Sequence, residues 1–261
     1  MPAKRSSTSA RHGISKQAAS KEGRVVVSKN GPYLVSGSLP LRREIAVARA
    51  DGYPEKWVKG RRYPLRSSYS LCRCGQSKNK PFCDNMHVHV RFDGTETASR
   101  RSYAMLSERL VGPDLNLCDA ESFCSSARFC LAKGGTWRLT LRSGDPARRK
   151  LAIEQAGNCP SGRLVAYSKK TGKPIEPEFV PSLSLTEGPQ KRVSGPIWVK
   201  GGIRIGSASG RTHEVRNRVT LCRCGKSKNK PFCDGSHVRV RFSDGHRSRR
   251  NSVRPGPRPV R

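Results

Sequence analysis

The chain has 261 residues, 52 Lys and Arg against 19 Asp and Glu, a net charge of +33, and ten cysteines. No run reaches the roughly 18 apolar residues of a membrane span, and nothing near Met1 has the apolar centre of about 7–15 residues of a secretory signal. An extracellular disulfide framework is therefore not expected, and clustered cysteines in a reducing compartment point instead to metal or redox chemistry.

Hydrophobic residues make up 34% of the chain, which predicts one to three small domains with thin cores, of the kind that metal sites staple. The charge predicts attraction to polyanions or acidic partners and carries no information on fold.

In chain order, residues 1–24 are rich in Ser, Ala, Lys and Arg and read as a basic disordered tail. A mitochondrial transit peptide is the lesser alternative, because the apolar face is poor; the cytoplasm is the expected location. From Leu71 runs LCRCGQSKNKPFCDNMHVHVRF, and from Leu221 the chain repeats it as LCRCGKSKNKPFCDGSHVRVRF. The upstream flanks also correspond, GPYLVSGSLPL from Gly31 and GPIWVKGGIRI from Gly195, and both read as strands and turns. From flank Gly to first Cys is 41 residues in copy one and 27 in copy two, so copy one carries an insertion within 42–66. The endings HVHVRF and HVRVRF alternate with period two and predict half-buried strands.

Between the copies, Asp145 is a candidate N-cap, Pro146 suits the first helical position and Gly157 follows the last turn, which predicts a helix. WRLTLR (137–142) and RLVAY (163–167) predict strands around it. Residues 171–189, with four prolines, predict an extended connector. The predicted division is 1–24 tail, 25–106 first module, 107–189 middle domain, 190–245 second module and 246–261 basic tail. A duplicated module around a third unit fits this layout.

The cysteines fall into three groups with none left over: Cys72, Cys74 and Cys83 with His87; Cys118, Cys124, Cys130 and Cys159; Cys222, Cys224 and Cys233 with His237. The outer groups share the spacing C-x-C-x8-C-x3-H. Three thiolates and an imidazole satisfy either one tetrahedral zinc or a 2Fe-2S cluster with two ligands per iron. Adjacent C-x-C side chains point apart in extended chain, so a tight turn at Arg73 and Gly75 is required to aim both at a metal. Asp84 and Asp234 are placed to cap the turn that leads to each histidine. His89 is a rival ligand by residue type, but copy two has Arg239 there, and a solvated strand histidine is the preferred reading.

The stretch CRCGKSKNKPFCDGSH at 222–237 resembles the CDGSH iron–sulfur motif of the mitoNEET family. The resemblance places Cys222, Cys224, Cys233 and His237 at the ligand positions of a 2Fe-2S cluster, and Cys72, Cys74, Cys83 and His87 at those of a second. Copy one departs at Asn85 and Met86. Asn tolerates the left-handed backbone that Gly would supply, whereas Met86 lacks a hydroxyl for the cluster, which implies a shifted potential or lability. NLCDAESFCSSARFC and the later NCPSGRLVAY resemble the divergent mono-cluster ferredoxin domain, which implies a 4Fe-4S cluster if all four cysteines ligate and a 3Fe-4S cluster if three do.

The resemblance implies an α+β chain: two small β-rich modules around a ferredoxin-like unit, paired within one chain as a pseudo-dimer. No nucleophile–base motif, phosphate loop or dinucleotide fingerprint is present in the sequence, so no enzyme is expected. The expected function is electron transfer. Cluster storage or transfer is the alternative, and a zinc-based nucleic-acid-binding protein a third. An acidic redox partner of ferredoxin or flavodoxin type suits the charge, with nucleic acid as a secondary candidate.

Overall fold

The structure is a computed structural model and describes residues 23–188 and 192–245. The tails expected at 1–24 and 246–261 lie outside these residues, apart from Gly23 and Arg24. No helix among the described residues is long and apolar enough to cross a membrane.

The fold is α+β, built from three small sheets. Copy one supplies β1 (Arg24–Val27), β2 (Tyr33–Ser36), β3 (Leu41–Ala48), β4 (Pro54–Arg62) and β5 (Ser68–Leu71). The middle unit supplies β6 (Glu108–Val111), β7 (Leu115–Asp119), β8 (Leu164–Ser168) and β9 (Pro174–Ile175). Copy two supplies β10 (Ser182–Gly188), β11 (Val193–Lys200), β12 (Arg204–Gly206) and β13 (Arg218–Leu221).

The copies exchange strands. One sheet runs β12-β1-β2-β5, so a copy-two strand completes the copy-one sheet. The other runs β13-β11-β10-β3-β4, so copy one returns the equivalent strand. Both exchanges are parallel, with Val25 opposite Ile205 and Leu183 opposite Leu41. Period-two alternation turns Val25, Val27, Val35, Leu183, Leu185, Ile197 and Val199 into one shared, fully buried core. The modules thus pair as a pseudo-dimer within the chain.

The insertion expected in copy one lengthens β3 and adds β4, antiparallel to it. Its Trp57 packs between Phe129 and Trp198, with ring centroids 4.9 and 5.3 Å away, and donates from Nε1 to the Asn158 carbonyl at 3.0 Å. The insertion therefore fastens the middle unit onto the copy-two sheet.

Four expectations need correction. The endings of the repeats are short helical turns, α1 (Met86–His89) and α5 (Ser236–Arg239), not strands. Asn85 and Gly235 precede them with φ of 66° and 83°, which turns the chain so that the Val90 and Val240 amides bond back to residues 86 and 236. His89 is exposed, as expected, but stands on α1. Between the copies, after a short α2 (Tyr103–Leu106), the stretch WRLTLR forms α3 (Thr136–Leu141), because Thr136, Leu139 and Thr140 are buried at helical spacing.

The connector expected over 171–189 contains β10, which belongs to the copy-two sheet, so this module begins by Ser182 and not at 190. The helix predicted in the middle is α4 (Pro146–Gly157), with Asp145 accepting from the Ala147 and Arg148 amides at 2.8 and 3.1 Å. RLVAY forms β8.

Candidate metal centres

Each outer centre hangs from the end of a strand, β5 or β13. The backbone then folds back, with Cys72 N donating to Pro81 O at 2.8 Å and Cys222 N to Pro231 O at 2.9 Å. The required turn is present: Gly75 and Gly225 take φ of 78° and 75°.

The ligands group as two plus two. Cys72 and Cys74 Sγ are 3.8 Å apart, and Cys222 and Cys224 Sγ are 3.7 Å apart. Two thiolates on one tetrahedral metal at about 2.3 Å stand about 3.8 Å from each other. Cys83 and Cys233 Sγ lie 3.5 Å from Nδ1 of His87 and His237, the separation of a thiolate and an imidazole on one metal. In each centre the four side chains thus form a thiolate pair and a thiolate–imidazole pair.

The aspartates act as expected. Asp84 accepts from the Lys78 and Met86 amides at 2.7 and 3.1 Å, and Asp234 from those of Lys228 and Ser236 at 2.8 and 2.9 Å. The Lys78 amide in particular holds the Asp84 carboxyl below the ordinary carboxylate range. Each carboxylate thereby fastens the turn that carries its histidine.

A thiol hydrogen bond from Cys74 brings the Cys72 pKa down to about 6, and one from Cys224 does the same for Cys222. Their partners, Cys74 and Cys224, are pushed up. Within each pair the first thiol is the more acidic, and metal binding requires both as thiolates.

The two centres touch back to back. A Cβ on Gly75 would lie 2.7 Å from the Cys224 oxygen, and one on Gly225 would fall on the Cys74 oxygen. Tyr33, from β2 of copy one, donates to the Cys222 and Pro231 carbonyls at 2.7 and 3.0 Å. Ile197 holds the equivalent place in copy two and has no hydroxyl to return the contact. Sequence reading missed Tyr33, and only alignment of the two flanks could have marked it. Tyr33→Phe is expected to lower stability by about 1–3 kcal/mol, because it leaves buried carbonyls short of a donor. A urea titration with the midpoint unchanged would contradict this.

Burial separates the copies. Cys233 and His237 are 2% and 5% exposed, whereas Cys83 and His87 are half-buried. Arg223, between Cys222 and Cys224, bonds Glu187 at 2.8 Å and Asp244 at 2.7 Å. Arg43 from the exchanged β3 pairs with the same two carboxylates. Arg73, the copy-one equivalent of Arg223, is 1% exposed and bonds the carbonyls of Ser28 and Gly94.

In the middle unit, burial first, and then the charges of Cys159 and Cys124, push the Cys130 thiol up to about 12. These three cysteines therefore lie within electrostatic reach of one another. Cys130 and Cys159 pack against Leu117, Ala156, Leu164 and Ala166. Cys118, next to Leu117 in β7, packs with Tyr103, Ala120 and Val165 in the main core, on the other face of that strand. Arg218 of β13 donates to the Cys159 carbonyl at 2.8 Å, which ties this group to copy two. A Cβ on Gly235, two residues after Cys233, would lie 3.3 Å from the Cys124 carbonyl oxygen, so the middle group adjoins the copy-two centre.

Residues 30–88 and 194–238 match the family described as iron-binding zinc finger CDGSH type, and residues 110–169 match the family described as divergent 4Fe-4S mono-cluster. The chain is therefore an iron–sulfur protein. More particularly, it carries two CDGSH-type iron-binding regions flanking a divergent 4Fe-4S mono-cluster region. Neither a curated protein nor a solved structure matches it.

Proposed function

We propose that the protein is a one-electron carrier and not an enzyme, with a 2Fe-2S cluster in each outer centre and a 4Fe-4S or 3Fe-4S cluster in the middle group. The observation that carries this reading is contiguity: the Cys74 and Cys224 loops abut, and the Cys124 backbone lies against Gly235, two residues after Cys233. Iron–sulfur clusters supply reversible one-electron chemistry, tuned by ligand charge, hydrogen bonds and exposure.

The chain's residues do the rest. Cys72 with Cys74, and Cys222 with Cys224, hold one end of each outer site; Cys83 with His87, and Cys233 with His237, hold the other. Cys124, Cys130 and Cys159 form the nucleus of the middle site, and Cys118 is its fourth candidate ligand. Asp84 and Asp234 fix the histidine turns, and the buried sheets exclude water from copy two. The net charge of +33 supports an acidic redox protein of ferredoxin or flavodoxin type as partner, with nucleic acid secondary.

Iron and acid-labile sulfide analysis after anaerobic purification tests the reading. About 8 of each per chain is expected for two 2Fe-2S clusters and one 4Fe-4S cluster, and about 7 iron if the middle site holds 3Fe-4S. About 3 zinc without sulfide would overturn it. Rapid movement of clusters into an apo-ferredoxin would favour storage and transfer instead.

His237→Cys replaces a neutral ligand with an anionic one and removes a titratable group. The potential of the copy-two cluster is expected to fall and its pH dependence to flatten. An unchanged redox titration would remove His237 from the ligand set.

A further inference from the structure

The two copies present the same surface to very different neighbours. On copy two the middle unit lies over it. Asn229 Nδ2 donates to the Ser122 carbonyl at 2.8 Å, Phe123 meets Phe232 edge-on at 5.3 Å, and Ser126 closes against Gly235. Ser125 and Arg128 share with His237 and Val238 a cavity of ≈ 50 Å³. Thr97 and Ala98 cover the adjoining loop by donating to the Lys230 carbonyl at 2.8 and 2.9 Å.

On copy one, Tyr63 and Tyr69 pack on Phe82, but beyond it no described residue covers the face. Asn85 and Val90 are exposed, Val88 is 64% exposed, and Met86 and His87 are half-buried. Three exposed cations adjoin this patch: Arg66 stacks over Phe82, the Lys78 amide bonds Asp84, and Arg91 follows Val90. The acid on it, Asp84, has its oxygens engaged by backbone amides.

We propose that the copy-one face around Met86, His87 and Val88 is the docking surface for an acidic protein that carries its own one-electron redox group. That partner takes there the place which the middle unit takes on copy two. The proposal rests on the electron-carrier reading. Internal pseudo-symmetry supplies the template: one cluster face of the pair is covered by a cluster-bearing unit of the chain, and its twin is open, apolar and rimmed with cations.

Charge points the same way. Arg223 is paired directly with Glu187 and Asp244, whereas among the described residues no carboxylate hydrogen-bonds Arg73, which bonds carbonyls and feels only the more distant charge of Asp93. A buried cation without a directly bonded carboxylate beside the copy-one centre favours an electron arriving there. In the step itself, one electron leaves the reduced partner and is accepted at the copy-one centre, with no bond made or broken.

The test uses the holo protein and a reduced, acidic plant-type 2Fe-2S ferredoxin as probe, mixed by stopped flow at several salt concentrations. The double variant Val88→Glu/Val90→Glu is expected to lower the second-order rate about tenfold or more, with iron content and visible spectrum unchanged. Val240→Glu, at the equivalent exposed place on copy two, is expected to leave the rate within about twofold. The rate for the unmodified protein is expected to fall as salt rises. Equal slowing by both variants, no slowing by the double variant, or no reaction with the ferredoxin would each overturn the docking proposal. Protein lacking iron and sulfide would instead overturn the carrier reading on which it depends.

Discussion

Gly225→Ala is expected to empty both outer centres, although it alters only one copy. At φ 75° an added Cβ falls on the Cys74 oxygen and lies 2.9 Å from the Cys74 carbonyl carbon. The obstacle is backbone, so no side chain can swing away. Relief requires Cys74 or Cys224 to move, and with them the sulfur pairs at 3.8 and 3.7 Å. A left-handed Ala costs about 1–2 kcal/mol and overpacking about 1–3 kcal/mol, so a loss of about 2–5 kcal/mol is expected. Gly75→Ala meets the Cys224 oxygen at 2.7 Å and should behave alike. Iron analysis is decisive: loss of about 4 of 8 iron atoms fits the joined loops. Loss of only 2, with copy one still loaded, would show that the centres stand apart.

The second large effect lies away from the sulfurs. Asp244→Ala is expected to cost about 3–5 kcal/mol and to release the copy-two cluster first. The Asp244 side chain is 0% exposed and holds Arg43 and Arg223 at 2.7 Å each. Without it, two buried guanidiniums face Glu187 alone, and Arg223 is the residue between Cys222 and Cys224. Asp51→Ala, in the exposed pair with Arg49, is expected to cost about 0–1 kcal/mol. Urea unfolding followed by circular dichroism and by cluster absorbance compares the two. Equal midpoints for both variants would contradict the buried network.

Much of the local geometry around the outer cysteines was legible in the sequence, because residue spacing is a local property. The grouping of the ten cysteines, the turn at Gly75, the capping aspartates and the left-handed Asn85 all depend on neighbours a few residues apart. So did α4, whose cap, first-turn proline and final glycine announced it. The strand exchange was not legible in detail. Val25 pairs with Ile205 across most of the chain, and the alternation of a strand states which face is buried but not who its neighbour is.

The errors share a cause. HVHVRF alternates like a strand, yet the positive φ of Asn85 turns it into a helical turn. In WRLTLR, strand-forming residue types hid the helical spacing of Leu139 and Thr140 behind Thr136. The connector's prolines masked SLSLTEG, which forms the central strand of the five-stranded sheet, between β11 and β3. The split between Cys118 and the other middle cysteines also depends on three dimensions. Cys118 and Leu117 are sequence neighbours, and a pleat sends them to opposite faces.

The traded strands β3 and β12 also bear on how the halves can diverge. In a dimer of identical subunits every substitution is made twice, so a change that suits one half is forced on the other. Here the same paired architecture is written in a single chain. Met86 can stand where Ser236 stands, and Arg73 can lose the carboxylates that Arg223 keeps, without either change being copied across. Neither half can separate from the other either, since each closes its partner's sheet. Joining the pair covalently makes it permanent and, at the same time, frees its two ends to specialise.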